Sequence, residues 1–166
     1  LEYFVNNIKS DYCLVMEDDI SFEYLQYWEK DFWGYIKELQ ENFDIIQLTQ
    51  IYSYMKIKRY KEDLSKIIVK KHEKHNYSTG SYIISKQGAK KILELIHKVE
   101  DKYNFESIKQ IIIDDFIYKN LNSFTMPLFT TTLEFGSYIH EDHIERIHKP
   151  SKNIITKQWK NQINLN

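Results

Sequence analysis

Three consecutive carboxylates, Glu17, Asp18 and Asp19, are the residues of this sequence best suited to chemistry. They directly follow a short apolar run at 12–16, which predicts a buried parallel strand. In open α/β sheets, ligands bind outside the carboxyl ends of the strands. Adjacent carboxylates repel one another, and a Mg²⁺ or Mn²⁺ ion with a phosphate-bearing ligand would neutralise them. The alternative is that one aspartate caps a following helix and the others are solvated.

A second acidic pair, Asp114 and Asp115, follows three isoleucines at 111–113. A helix predicted over 108–121 would hold both carboxyl groups close to apolar surface. Such surroundings raise the pKa of a carboxyl group toward neutrality and suit it to act as a general base. The alternative is a helix with one polar face.

The elements that must position these carboxylates alternate between strands and helices, which predicts an α/β layer architecture. A helix end is expected over 2–9, and further helices are expected over 22–43, from the N-cap Ser85 to residue 99, and over 108–121. Strands are expected at 12–16, 44–48, 66–70, 81–84 and 125–129, the last an edge strand because it contains Pro127. Residues 49–66 lack a clear period and predict a long, functional loop.

Composition excludes some classes of protein. The chain has 23 basic and 24 acidic residues among 166, so it lacks the basic excess of a nucleic-acid binder. No apolar run is long enough to span a membrane. Cys13 is the only cysteine, which favours a reducing, cytoplasmic compartment. No signal peptide is visible, but the first residues do not resemble a natural start, so targeting is left open.

Three segments in order resemble glycosyltransferase family 25: LVMEDD at 14–19, GSYIISKQGAKKIL at 80–93 and IDDFIY at 113–118. That family includes bacterial lipooligosaccharide galactosyltransferases and procollagen galactosyltransferase-like proteins. Its members have a hydrophobic strand ending in E-D-D, a G-x-x-x-Y-x-x-S-x-x-G-A block and a V-D-x-F-L element. Here Tyr82 lies closer to Gly80 than the corresponding tyrosine does in many relatives. The likeness covers residues 11–139.

The resemblance implies a GT-A fold, in which helices flank a mixed sheet. It also implies a UDP-sugar donor and a divalent cation, commonly Mn²⁺ and alternatively Mg²⁺. The reaction would transfer galactose or glucose to a hydroxyl of a glycan or of a hydroxylysine-type protein acceptor, with inversion at the sugar carbon. No residue spacing here determines that stereochemistry.

Roles carried over from the family fall on eight residues. The metal ligands would be Asp19, Asp18 and a late histidine, His140. The donor would contact Glu17, Asp18, Gly80 and Ser81. The catalytic base would be Asp114, with Asp115 as second choice. For His140 the alternative is a solvated surface histidine, and His143 and His148 are left unassigned.

A GT-A domain normally begins with strands and helices that hold the nucleotide, ahead of the acidic motif. We therefore expect residues 1–150 to be the C-terminal part of a GT-A domain without that nucleotide-binding part, and residues 151–166 to be a polar, mobile tail. Two rival functions stay open. One is a nucleotidyltransferase on a related fold, and the other is a catalytically inactive GT-A-like interaction domain.

Overall fold

The computed structural model describes residues 1–39, 42–59, 70–73, 76–105, 112–133 and 141–163. Its helices are α1 (Glu2–Asn7), a 3₁₀ helix (Glu23–Tyr27), α2 (Phe32–Glu38), α3 (Tyr54–Arg59), α4 (Lys86–Leu95), α5 (Ile113–Lys119), α6 (Glu141–His143), a π-helical segment (Ile144–His148) and α7 (Lys149–Ile163). Its strands are β1 (Tyr12–Met16), β2 (Ile20–Ser21), β3 (Ile45–Thr49), β4 (Ile51–Tyr52), β5 (Lys70–Lys71), β6 (Asn76–Tyr77), β7 (Ser81–Ser85), β8 (His97–Val99), β9 (Lys102–Asn104) and β10 (Ser123–Thr131). No helix among these residues combines the length and the apolarity that crossing a bilayer requires.

The main sheet is mixed, with the strand order β1-β7-β3-β10-β2 and with β5 paired to the start of β10. Strands β1 and β3 are both antiparallel to β7, and β10 is parallel to β3. The carboxyl ends of β1, β3 and β10 therefore meet the amino end of β7 at one edge of the sheet, which we call the carboxyl edge. The predicted α/β class is confirmed.

Strand β1 has the predicted bounds but not the predicted surroundings. It lies at the end of the strand order and pairs antiparallel with β7, so the prediction of a buried parallel strand is wrong. Tyr12 and Leu14 are 41% and 43% exposed because a strand at the end of the sheet has fewer neighbours to cover it. An apolar run indicates that a strand forms. The direction of that strand and its position in the sheet depend on distant segments.

Strand β10 was expected at an edge and instead lies inside the sheet. It pairs with β3 on one side and with β2 and β5 on the other. Pro127 is tolerated because the register with β3 shifts between Thr125 and Phe129, where a ladder hydrogen bond is already interrupted. The prediction from proline alone is therefore wrong.

Helices cover both faces of the sheet. Ile45 and Ile46 are adjacent in β3 and belong to different core clusters, because successive strand residues point to opposite faces. One cluster joins the sheet to the 3₁₀ helix, α2 and α7, and the other joins it to α1, α4 and α5. The carboxyl edge is thus held between two packed layers.

The helix expected over 22–43 is divided in two. Its first part is the 3₁₀ helix, and a new helix, α2, begins after Asp31, whose carboxylate accepts a hydrogen bond from the backbone N–H of Gly34 at 2.6 Å. An aspartate at this position satisfies a helix N-terminus better than it continues a helix. Residues 40 and 41 lie outside the described residues.

The remaining expectations are met in part. The strands at 44–48 and 81–84 are confirmed as β3 and β7 within one residue, and Ser85 caps α4 by accepting a hydrogen bond from Gly88 N–H at 3.0 Å. The loop expected at 49–66 contains β4 and α3, and its residues from 60 onward lie outside the described part. So do residues 66–69 of one expected strand and residues 108–111 of the last expected helix.

The largest difference from the sequence prediction concerns residues 151–163. They continue α7 and bury Ile155 and Trp159, which are 1% and 0% exposed. The indole N–H of Trp159 donates to the carbonyl of Pro127 at 3.1 Å. The two apolar side chains are four residues apart and so share one helix face. The prediction of a polar, mobile tail is therefore wrong for residues 151–163, while 164–166 lie outside the described residues.

Replacing Gly88 by alanine is expected to lower the free energy of unfolding by about 1–3 kcal/mol. A Cβ at Gly88 would lie only 2.6 Å from the backbone oxygen of Asp44, which also accepts a hydrogen bond from Ser85 N–H at 2.8 Å. The clash would outweigh the helix propensity that alanine adds, about 1 kcal/mol. Urea unfolding measures the difference. Gly34→Ala in α2 is the control, because its nearest neighbours are side-chain atoms of Lys30 and Asp31, and equal losses for both variants would contradict the prediction.

Candidate functional site

The acidic turn, Glu17–Asp19, crosses the carboxyl edge between β1 and β2. The N–H of Glu17 donates to the carbonyl of Gly80 at 2.7 Å, and the carbonyl of Asp19 accepts from Thr132 N–H at 2.8 Å. The turn is thus tied to the start of β7 and to the end of β10. Its place outside the end of a strand agrees with the sequence prediction. The alternative of a helix-capping aspartate is wrong, because strand β2 follows the turn.

Asp114 reaches the same edge from the first turn of α5. Both Asp114 and Glu17 are hydrogen-bonded to the side chain of Thr79, and Asp114 also accepts a hydrogen bond from the backbone of Ser78. A threonine hydroxyl has one proton, so it can donate to only one carboxylate at a time. The tertiary fold therefore brings together two acids from distant parts of the chain and leaves them competing for one donor.

Burial raises the pKa of Asp114, and the neighbouring charge of Asp115 adds to the effect, while the hydrogen bonds from Ser78 and Thr79 oppose it. Burial also raises the pKa of Glu17, with further contributions from the charges of Asp19, Asp114 and Asp18. Crowded negative charge of this kind favours the uptake of a proton or of a cation.

Ser78 holds Thr79 in place at the cost of backbone strain. Its φ is 106°, a left-handed value that residues other than glycine rarely adopt. Its carbonyl accepts hydrogen bonds from Gln47 Nε2 and from the Tyr118 hydroxyl, each at 2.9 Å, and its own hydroxyl accepts from Gly80 N–H at 3.0 Å. Such strain persists only where surrounding contacts over-determine it, and it is concentrated at functional sites.

Gly80 and Ser81, predicted to contact the donor, are both buried. Ser81 is 0% exposed, and its hydroxyl is paired with the Thr49 hydroxyl at 2.5 Å, so its contact with a donor stays a prediction. A Cβ at Gly80 would lie 3.1 Å from both Ile20 Cδ1 and Ser78 Oγ. Packing beneath the acidic turn therefore accounts for a glycine at this position.

Asp19 is the member of the acidic turn with an unsatisfied buried atom. Its Oδ1 is buried and has no hydrogen-bond partner within the described part of the chain. His148, in the π-helical segment, is near enough for the two groups to interact electrostatically. Burial and the charge of His143 lower the pKa of His148, and Asp19 opposes them. His140, the predicted late ligand, lies outside the described residues.

The carboxylates of the acidic turn are suited to a metal ion whose remaining ligands come from a substrate. Among the described residues, no three His, Cys, Asp or Glu side chains are arranged to hold a metal ion by themselves. Mg²⁺ is commonly bound through one or two carboxylates together with substrate phosphates, and not by an all-protein cage. The unpartnered oxygen of Asp19 and the exposed carboxylate of Asp18 match that donor set in number and chemistry.

Asp115 has different surroundings from Asp114. It lines a cavity of about 350 Å³ together with His72 and Tyr118, away from the hydrogen bonds that join Asp114 to Ser78 and Thr79. Adjacent residues of a helix point about 100° apart, so the two carboxylates face different surroundings.

The residue types of Ser78, Thr79 and His72 do not mark them as parts of the candidate site. Thr79 was visible only as the residue before a glycine that opens a strand, and the strained φ of Ser78 has no signature in its residue type. His148 was visible as a histidine without a role. Each gains significance only from its neighbours in space.

Comparison of the chain with protein-family models, with curated proteins and with solved structures found no match. The resemblance to glycosyltransferase family 25 therefore stays a prediction that rests on the three sequence blocks.

Proposed function

We propose that this chain is a GT-A-type hexosyltransferase domain that moves galactose or glucose from a UDP-sugar to a hydroxyl of a glycan or protein acceptor. The observation that carries the proposal is the meeting of Glu17 and Asp114 at Thr79, beside Asp19, on the carboxyl edge of the sheet. Glycosyl transfer to a hydroxyl needs a base for the acceptor and a means of neutralising the leaving diphosphate. Both requirements are matched by carboxylates at this edge.

Asp114 is the proposed base. It would take the proton of the acceptor hydroxyl as the acceptor oxygen bonds to the sugar carbon and the bond from that carbon to UDP breaks. A carboxylate with a raised pKa holds the proton better than a solvated one, and its effectiveness as a base increases accordingly. Thr79 and the backbone of Ser78 would orient the carboxylate toward the acceptor.

Asp19, assisted by Asp18, is the proposed holder of a Mn²⁺ or Mg²⁺ ion, and Glu17 would contact the donor. When bound, the ion would offset the negative charge that develops on the departing nucleoside diphosphate. His148 is a further candidate ligand, in the role that sequence reasoning gave to His140. The mixed sheet between helical layers is compatible with a GT-A fold, and the finer assignment rests on the resemblance.

Asp19→Ala and chelation of divalent metal are each expected to reduce UDP release by at least about 100-fold, since either change removes charge neutralisation at the leaving group. UDP release is measured with UDP-galactose and UDP-glucose, with and without Mn²⁺, in a protein that also contains the nucleotide-binding part expected from the resemblance. Asp101→Ala, at an exposed turn between β8 and β9, is the matched control and should retain full activity.

If turnover persists both after chelation and in Asp19→Ala, the proposed mechanism is contradicted. Release of pyrophosphate from a nucleoside triphosphate, without UDP release from a UDP-sugar, would favour the nucleotidyltransferase. A chain that binds no nucleotide in a metal-dependent way, and in which Asp19→Ala alters only stability, would be the inactive interaction domain.

A further inference from the structure

A buried chain of hydrogen bonds determines which ring nitrogen of His72 carries the proton. Gln47 is 0% exposed, and its Nε2 donates to the carbonyls of Tyr77 and Ser78, both at 2.9 Å. Two carbonyl acceptors define which end of the amide is the nitrogen, so Oε1 must accept the hydrogen bond from the Thr125 hydroxyl at 3.1 Å. That hydroxyl has then used its proton and can only accept from His72 Nδ1, at 3.0 Å.

His72 therefore carries its proton on Nδ1 and a lone pair on Nε2. Burial, followed by the charge of Lys56, lowers the pKa of His72 to about 4, and Asp115 and Glu73 act in the opposite direction. The ring is stacked on Tyr118, with 4.5 Å between centroids and 27° between planes, which holds its orientation. At neutral pH this imidazole is an uncharged, oriented hydrogen-bond acceptor.

Nε2 is the ring nitrogen available to a ligand in the cavity. His72 lines that cavity, whereas Thr125, the partner of Nδ1, does not. Within the described part of the chain, the other charged residues on the wall are Asp115, Lys71 and Lys119. Among the described residues, the cavity thus offers two acceptors, the imidazole and the carboxylate, and one ammonium donor, Lys119. The ammonium group of Lys71 donates instead to Asn122 and lies over the ring of Phe124, and neither of these residues lines the cavity. Its volume of about 350 Å³ is enough for one small molecule.

We propose that this cavity binds one neutral, hydroxyl-rich ring, a monosaccharide unit of the acceptor. A sugar hydroxyl both donates and accepts, so a ring of hydroxyls can satisfy the two acceptors and the ammonium group of Lys119 together. An apolar ligand would leave His72 and Asp115 unpaired, an anion would meet the carboxylate, and a cation would meet the two lysines. The assignment to the acceptor rests on the proposed function. Asp115 follows the proposed base in the chain, and Tyr118 on the same cavity wall donates to the carbonyl of Ser78, whose backbone also binds Asp114.

The test is a titration of the protein with methyl β-galactoside and methyl β-glucoside, without metal or nucleotide, followed by ¹H–¹⁵N NMR. Saturable shifts are expected at Asp115, Tyr118 and Ser123, with dissociation constants in the millimolar range. His72→Asn keeps an N–H donor for Thr125 and lacks the Nε2 acceptor, and Asp115→Asn keeps size and removes charge. Each is expected to weaken binding at least about fivefold, whereas the control His143→Asn should not. Cyclohexylmethanol, similar in size but almost without hydroxyls, should not bind.

The ring ¹⁵N shifts of His72 provide a second readout in the unsubstituted protein. They should report a proton on Nδ1 at neutral pH and a change at Nε2 when the glycoside is added. A proton on Nε2, no saturable shift at tens of millimolar glycoside, or binding that both variants leave unchanged would overturn the inference. The proposed function would not be contradicted by that result, because it depends on metal-dependent UDP release. If the protein binds the glycoside but never releases UDP, the monosaccharide site would be supported and the proposed function would be contradicted.

Discussion

Asp114→Asn is expected to reduce UDP release from a UDP-hexose by about 10²–10⁴-fold, the usual contribution of a general base. Asparagine has nearly the same shape, and its single amide oxygen can still accept a hydrogen bond from Ser78 or Thr79, but it cannot take a proton. The measurement is steady-state UDP release with Mn²⁺ and either UDP-galactose or UDP-glucose. Asp101→Asn is the matched control, because this carboxylate is exposed in the turn between β8 and β9.

The same variant should not lose stability at neutral pH. Burial raises the pKa of Asp114 above its ordinary value of 3.8, so the folded state binds this proton more tightly than the unfolded state. The charged carboxylate then destabilises the fold above the raised pKa, and this cost disappears as the pH falls below 3.8. Asp114→Asn is therefore expected to melt at or above the temperature of the unsubstituted protein at neutral pH, with the difference vanishing in acid.

Activity and stability together decide the role of Asp114. A folded Asp114→Asn protein with unchanged turnover would show that this carboxylate is not the base. Activity of the unsubstituted protein should also fall as the pH is lowered through the raised pKa of Asp114. A profile that stays flat down to the ordinary pKa of aspartate would contradict the assignment.

Trp159→Ala is expected to lower the free energy of unfolding by about 3–5 kcal/mol. Trp159 is fully buried, its ring lies 6.3 Å from that of Tyr24 and 6.0 Å from that of Tyr35, and its indole N–H satisfies the carbonyl of Pro127. Truncation would leave a large cavity and an unpaired buried carbonyl inside the layer that supports β10. Urea unfolding followed by far-ultraviolet circular dichroism measures the loss.

Trp33→Ala is the control for this second prediction. Trp33 has the same side chain but is 48% exposed on α2, so its removal should cost less than about 1 kcal/mol. A Trp159→Ala protein as stable as Trp33→Ala would mean that α7 does not contribute to the core. Deleting residues 151–163 would then be harmless, as expected of a mobile tail.

Local signals determined much of the secondary structure. The apolar runs at β1, β3 and β7 predict strands because each is short, continuous and bounded by polar residues. Ser85 predicts a helix start because a hydroxyl satisfies an N–H of the first turn, and this contact is formed within four residues. The place of the acidic turn beyond the end of β1 followed from the same local pattern.

Only the tertiary structure decided how those elements are combined. The direction of β1, the central place of β10 and the burial of Ser81 depend on which strands lie alongside, and a strand's own residues do not specify its neighbours. The helix of residues 151–163 has few apolar residues, and its stability comes from the pocket that receives Ile155 and Trp159.

The candidate site shows the same division. The sequence by itself determined which acids could do chemistry, because carboxylates beside apolar runs are costly unless they are used or solvated. It could not determine that Glu17 and Asp114 share Thr79, or that Ser78 is strained and His72 is held neutral. Those properties arise from hydrogen bonds between segments far apart in the chain, which exist only once the sheet and its two helical layers are packed together.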